Sequence, residues 1–157
     1  MRFLYLNFIS TYSELKKGYI TNPGYPGQYP NNSECEWLVS TDAKANETIM
    51  FKFYEFDLED HSTCDFDRIE FRLPVIEGNP VYKTLCGNTL PDTFAVPTNE
   101  VDIVFQSDDL DHGKFNFSYE IKPCGGYITG QEQGIIASPN FPAPYNHDDY
   151  CIWMIQE

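Results

Sequence analysis

A displacement of 116 positions lays residues 18–37 on residues 134–153 without a gap. Gly18, Ile20, Pro23, Pro26, Tyr29, Cys35 and Trp37 meet Gly134, Ile136, Pro139, Pro142, Tyr145, Cys151 and Trp153, and Tyr25 meets Phe141. Self-similarity at a fixed spacing is the mark of tandem modules. In 157 residues it leaves room for one nearly whole unit and the opening of a second. A repeat of that length suits a single domain each time.

What fills the interval is strand-like. Trp37 and Val39 alternate with Glu36, Leu38 and Ser40; Ile49, Phe51 and Phe53 alternate with Met50, Lys52 and Tyr54. The same period of two runs through Ile69, Phe71 and Leu73, through Val101, Ile103 and Phe105, and through Phe115, Phe117, Tyr119 and Ile121. Such alternation sends one set of side chains to a core and the other, including Asp102, Val104 and Gln106, to solvent. Turn signals separate the runs: Asn22-Pro23-Gly24, Glu77-Gly78-Asn79-Pro80, Gly87-Asn88 and Asp111-His112-Gly113. No segment sustains a helical period; residues 58–64 come nearest to a turn of helix. Several short strands at this spacing predict an all-β, antiparallel two-sheet sandwich.

Charge narrows the partners. With 10 Lys+Arg against 24 Asp+Glu the net charge is −14, which repels nucleic acid and anionic membrane surfaces and invites basic proteins and metal cations. No stretch approaches the roughly 18 apolar residues of a membrane span. Five cysteines (Cys35, Cys64, Cys86, Cys124 and Cys151) indicate an oxidising compartment. The sequons at Asn31, Asn46 and Asn116 agree with it. The opening MRFLYLNFIS has one Arg and a short apolar run without a clear small-residue cleavage site, so residues 1–17 are taken as an extension of a truncated or mis-started chain rather than a signal peptide.

The acidic residues admit two explanations. Glu59, Asp67 and Asp108, with carbonyls from a turn such as 109–112, offer the hard oxygens that calcium takes at about 2.3–2.6 Å. Solvated acidic loops explain the same residues without an ion. An EF-hand is excluded, since counting from Asp108 places Leu110 and Tyr119 where acids are needed. Zinc at Cys64 and His61 lacks further ligands at zinc spacing. Catalytic signatures are missing: no His-Glu-x-x-His, no Gly-x-Ser-x-Gly and no phosphate-cradling glycine loop. His61, His112 and His147 lie in polar turn segments, and Asp57, Asp60 and Asp65 have no cleft in prospect for glycoside hydrolysis.

Taken in order, several of these motifs resemble the CUB domain. They are Pro23-Gly24-Tyr25-Pro26, Cys35-Glu36-Trp37, Phe56-Asp57-Leu58-Glu59, Cys64-Asp65-Phe66-Asp67, Leu85-Cys86-Gly87, Phe105-Gln106-Ser107-Asp108 and Gly113-Lys114-Phe115. The resemblance covers residues 18–122 and restarts at Cys124-Gly125-Gly126, giving a domain at 18–122 and an incomplete second copy at 124–157. It implies a jelly-roll-like sandwich with bridges Cys64–Cys86 and Cys124–Cys151. Cys35 is left unpaired, because the position 116 before Cys124 is Phe8. It also implies calcium at Glu59, Asp67 and Asp108, braced by Tyr29. The function implied is non-catalytic: calcium-dependent extracellular protein binding in which the acidic site accepts a partner's Lys or Arg. The settings are cubilin-like endocytic receptors or, alternatively, the substrate-recognition part of a tolloid-type metalloprotease.

Overall fold

The computed structural model describes residues 16–41, 47–110 and 113–156. Ten strands and no helix are found among them: β1 (Lys17–Thr21), β2 (Glu34–Ser40), β3 (Thr48–Asp57), β4 (Arg68–Arg72), β5 (Val81–Leu85), β6 (Phe94–Val96), β7 (Glu100–Gln106), β8 (Lys114–Lys122), β9 (Gly126–Thr129) and β10 (Trp153–Gln156). Two four-stranded sheets, ordered β1-β8-β3-β6 and β2-β7-β4-β5, make the sandwich, with all their pairings antiparallel. The expected turn of helix at 58–64 does not form. Cys64 sits at φ 52° and donates its N–H to the His61 carbonyl at 3.2 Å, a left-handed turn that a right-handed helix cannot contain.

The inward residues of the alternating runs become the core: Val39, Ile49, Phe51, Ile69, Phe71, Val101, Ile103, Phe105, Phe115, Phe117 and Tyr119 are completely buried. Phenylalanines dominate it and meet edge to face, as Phe51 does Phe71 at 4.8 Å and Phe71 does Phe94 at 4.9 Å between ring centroids. Such pairs add about 0.5–1.5 kcal/mol each beyond the area they bury. In β3 the register slips between Phe53 and Glu55, so the bulge at Tyr54 returns Phe56 to the inner face.

One expectation is corrected on the outer face of the second sheet. Asp102 and Val104 are buried rather than solvated. Strand β7 is central, between β2 and β4, and the neighbours Glu36, Leu38, Glu70 and Arg72 lie beside these two residues in register. Asp102 accepts a hydrogen bond from Asn79 Nδ2 at 3.1 Å.

Only Pro123 separates the end of β8 from Cys124, which is buried and bridged to Cys151. Strands β9 and β10 pair in parallel beyond it. This segment rests on the sandwich: the fully buried Thr48 donates to the Ile152 carbonyl at 3.3 Å, and Met154 packs against the core.

Candidate metal centre

Antiparallel pairing gathers one set of strand ends at a single end of the sandwich. Glu34, at the start of β2, and Arg68, at the start of β4, both oppose Gln106 at the end of β7. In the other sheet Asp57, ending β3, opposes Lys114, starting β8. The loops leaving these ends carry Glu59, Asp67 and Asp108, and the structure brings one carboxylate oxygen of each within 4.8 Å of the others.

Each member of the cluster is held by its loop. Asp67 is completely buried; its Oδ2 accepts the Tyr29 hydroxyl at 2.6 Å and its Oδ1 the Asp108 N–H at 2.8 Å. Asp108 Oδ1 caps its own turn by accepting the Leu110 N–H at 2.8 Å. Glu59 is positioned through its backbone, whose carbonyl accepts the Gly87 N–H at 3.0 Å, beside the Cys64–Cys86 bridge that closes the loop. Tyr29 lies between β1 and β2 with its ring edge-on to Phe105 at 4.9 Å. Burial, then the hydrogen bond to Asp67 and the charges of Asp67 and Asp57, drive its hydroxyl pKa far above the ordinary tyrosine value, so it remains a donor.

Other supports include Ser107 and Gly113 from the sequence motifs and Asn31 from a sequon, but nothing in those patterns marks them as supports of the site. Asn32 donates its N–H to the Asp108 carbonyl at 2.7 Å, and Asn31 Nδ2 donates to the Asp109 carbonyl at 2.7 Å. Ser33 and Ser107 are bound reciprocally, Ser33 N–H to Ser107 Oγ at 2.9 Å and Ser107 N–H to the Ser33 carbonyl at 3.0 Å. Gly113 donates no side chain because none fits: a Cβ there would lie 1.8 Å from the Asp57 carbonyl oxygen and 3.1 Å from the Tyr29 hydroxyl.

The donor set suits a hard cation. Ligands at calcium distances from one ion lie no more than about 5 Å apart, a limit this cluster meets. Among the described residues no ion pair includes Asp67 or Asp108. His61 turns instead to Asp65, with Nδ1 3.7 Å from Oδ2, and Cys64 is engaged in its bridge, which removes the thiolate that the zinc alternative required. Cys35 is a half-buried free thiol whose pKa is raised by burial and by the neighbouring Glu34. Of the sequons, Asn31 is exposed, Asn116 is half-buried and donates to the Tyr25 hydroxyl at 3.2 Å, and Asn46 lies outside the described residues. His112 and part of the 109–112 turn lie outside them as well, while His147 is exposed.

A small β-sandwich stapled by disulfides and presenting a carboxylate cluster at one end defines a class, the extracellular binding module. Within that class the chain belongs to the CUB domain family, whose model matches residues 10–119 and 124–157. It is 38% identical over 144 residues to cubilin of the dog, covering 89% of this chain and 4% of that protein. It is 31% identical over 138 residues to mouse tolloid-like protein 2, covering 88% of this chain and 13% of that protein. The chain therefore spans a small fraction of the length of these relatives. Among solved structures, the second CUB domain of MASP-1 bound to Ca²⁺ superposes with a TM-score of 0.61 at 26% identity, covering 73% of this chain and 98% of that one. CUB domains are non-catalytic binding modules, and the chain is extracellular, in a secreted protein or an ectodomain.

Proposed function

We propose that this chain binds an extracellular protein partner in a calcium-dependent way, receiving a lysine or arginine side chain at Glu59, Asp67 and Asp108. The observation that carries the reading is the convergence of three carboxylates within 4.8 Å of one another, with Asp67 among them completely buried. A calcium ion held by these residues would supply positive charge at the cluster and fix the orientation of the carboxylates. The chain's own residues do the remaining work. Tyr29 and the Asp108 N–H orient Asp67, Leu110 orients Asp108, and Asp108 borders an open cleft from which a partner's cation can reach it. Carboxylates aligned in this way accept an ammonium or guanidinium by charge-assisted hydrogen bonds. The Ca²⁺-bound MASP-1 domain supports the metal part of the reading.

The likeness to cubilin supports a place in a multi-module, endocytic receptor-like protein, and the likeness to tolloid-like protein 2 supports the alternative, substrate recognition for a protease domain outside this chain. Residues 18–122 would be one module and 124–157 the opening of a second, with linked sites gaining through effective concentration. Asn31, Asn46 and Asn116 are the proposed glycan acceptors. Calorimetry tests the metal site. Glu59→Ala should lower calcium affinity by about tenfold or more, whereas Glu77→Ala, in a turn away from the cluster, should not change it. A parent protein that binds no calcium at millimolar concentration, or equal losses in both variants, overturns the proposal.

A further inference from the structure

Beside the carboxylate cluster lies an open cleft of about 280 Å³, and Asp108 belongs to both. One wall is the start of β2 with Glu34, the other is the approach to β4 with Asp65, Phe66 and Arg68, and Gln106 at the end of β7 lies between them. Arg68 would make the cleft attractive to an acid if its guanidinium were available, but it is consumed internally. Its Nε donates to Glu70 at 2.8 Å, one terminal nitrogen to the Phe66 and Asp65 carbonyls at 3.2 and 3.4 Å, and the other to Gln106 Oε1. The available charge is therefore negative, from Glu34, Asp65 and Asp108. Glu34 and Asp65 are exposed, and Phe66 stands between the charges with 42% of its surface open to solvent. Its ring is backed by His61 at 4.4 Å between centroids, which limits its freedom to fold away.

An apolar ring flanked by carboxylates selects a cation on an aliphatic stem, and a planar guanidinium is the one that stacks best. We infer that the cleft takes a second basic side chain of the same partner, an arginine lying on Phe66 between Glu34 and Asp65. The partner would then present two basic residues, one to the carboxylate cluster and one to the cleft. This inference rests on the proposed calcium site for the first residue only. A single exposed charge contact is weak, and a second one on the same segment multiplies the affinity at little further cost in freedom.

The test uses the full chain in calcium with synthetic peptides carrying either two arginines spaced by one to three residues or one arginine and one alanine. The two-arginine series should contain a member that binds about fivefold to tenfold more tightly than its one-arginine counterpart. Phe66→Ala should abolish that advantage, and Glu34→Gln should reduce it, with calcium affinity unchanged in both. Equal binding of the two peptide types, an advantage that survives Phe66→Ala, or no measurable binding of either peptide overturns the inference. Loss of calcium binding in the parent would instead overturn the metal site, and the peptide comparison without calcium still decides the cleft.

Discussion

The turn at 22–29 and its counterpart at 138–145 are built alike and placed oppositely. In the first, Tyr25 N–H donates to the Asn22 carbonyl at 3.2 Å and Gly27 N–H to the Gly24 carbonyl at 2.9 Å. In the second, Phe141 N–H donates to Ser138 at 3.2 Å and Ala143 N–H to Asn140 at 2.7 Å. The left-handed residues coincide too, Gly24 with Asn140 and Asn32 with Asp148, and both turns carry a cis aromatic–proline bond. Yet Tyr29 is 2% exposed and Tyr145 is 69% exposed. The turn is thus written in its own residues, while burial comes from strands far along the chain. Asn22 shows the dependence: its Oδ1 accepts the Phe115 N–H at 2.9 Å, a bond to β8 that Ser138 has no strand to make among the described residues.

That contrast can be broken most severely by hydrogen exchange. Amides of 130–150 should exchange at least about a thousandfold faster than those of Phe51 and Phe53 if only residues 18–122 are packed. Equal protection would show that residues 130–150 are packed as well. A matched pair of substitutions comes next. A Cβ on Gly18 would lie 2.5 Å from the Tyr119 ring, whereas on Gly134 the nearest atom is Gln131 Oε1 at 3.4 Å. Gly18→Ala should cost about 2–3 kcal/mol in chemical denaturation, and Gly134→Ala should stay within about 0.5 kcal/mol.

The hydroxyls sharpen the comparison further. Tyr29→Phe removes the donor to buried Asp67 and should cost about 1–3 kcal/mol while weakening calcium binding; Tyr145→Phe should do neither. The smallest effect concerns Glu36, whose counterpart is Ile152. Repulsion from Asp102, then burial and a hydrogen bond with Asp102, raise the Glu36 pKa against a partial offset from Arg72. The folded state therefore holds this proton more tightly than the unfolded chain. Its contribution is fully present below the ordinary glutamate value and is lost as pH climbs through the raised one. Glu36→Gln should flatten that loss by less than about 0.5 kcal/mol, because the side chain is exposed to solvent. An unchanged slope of stability against pH would remove Glu36 from the account.

Five strands, β2, β3, β4, β7 and β8, were legible because each sends large apolar residues to the core at every second position, even where, as in β7, the other face is buried too. Strand β5 shows no such pattern, since it is an edge strand with no fully buried residue, and β6 has only three residues. The burial of Asp102 was hidden for a different reason: it depends on neighbours supplied by two other strands. The carboxylates of the candidate site were picked out by motif resemblance, since residues 59, 67 and 108 have no common local spacing. The cleft beside them was not legible, because it takes Phe66 from one loop and Glu34 from another strand.

The short passage from β8 to Cys124 has a mechanical consequence. A tail joined by a flexible linker would let tension uncoil slack before it reached the domain. Here one proline separates the strand from a buried half-cystine, and Thr48, the first residue of β3, grips the Ile152 carbonyl. A pull on Trp153 or Met154 is therefore delivered to β8 through the Cys124–Cys151 staple and to β3 through Thr48, so the joint carries load as a bracket does.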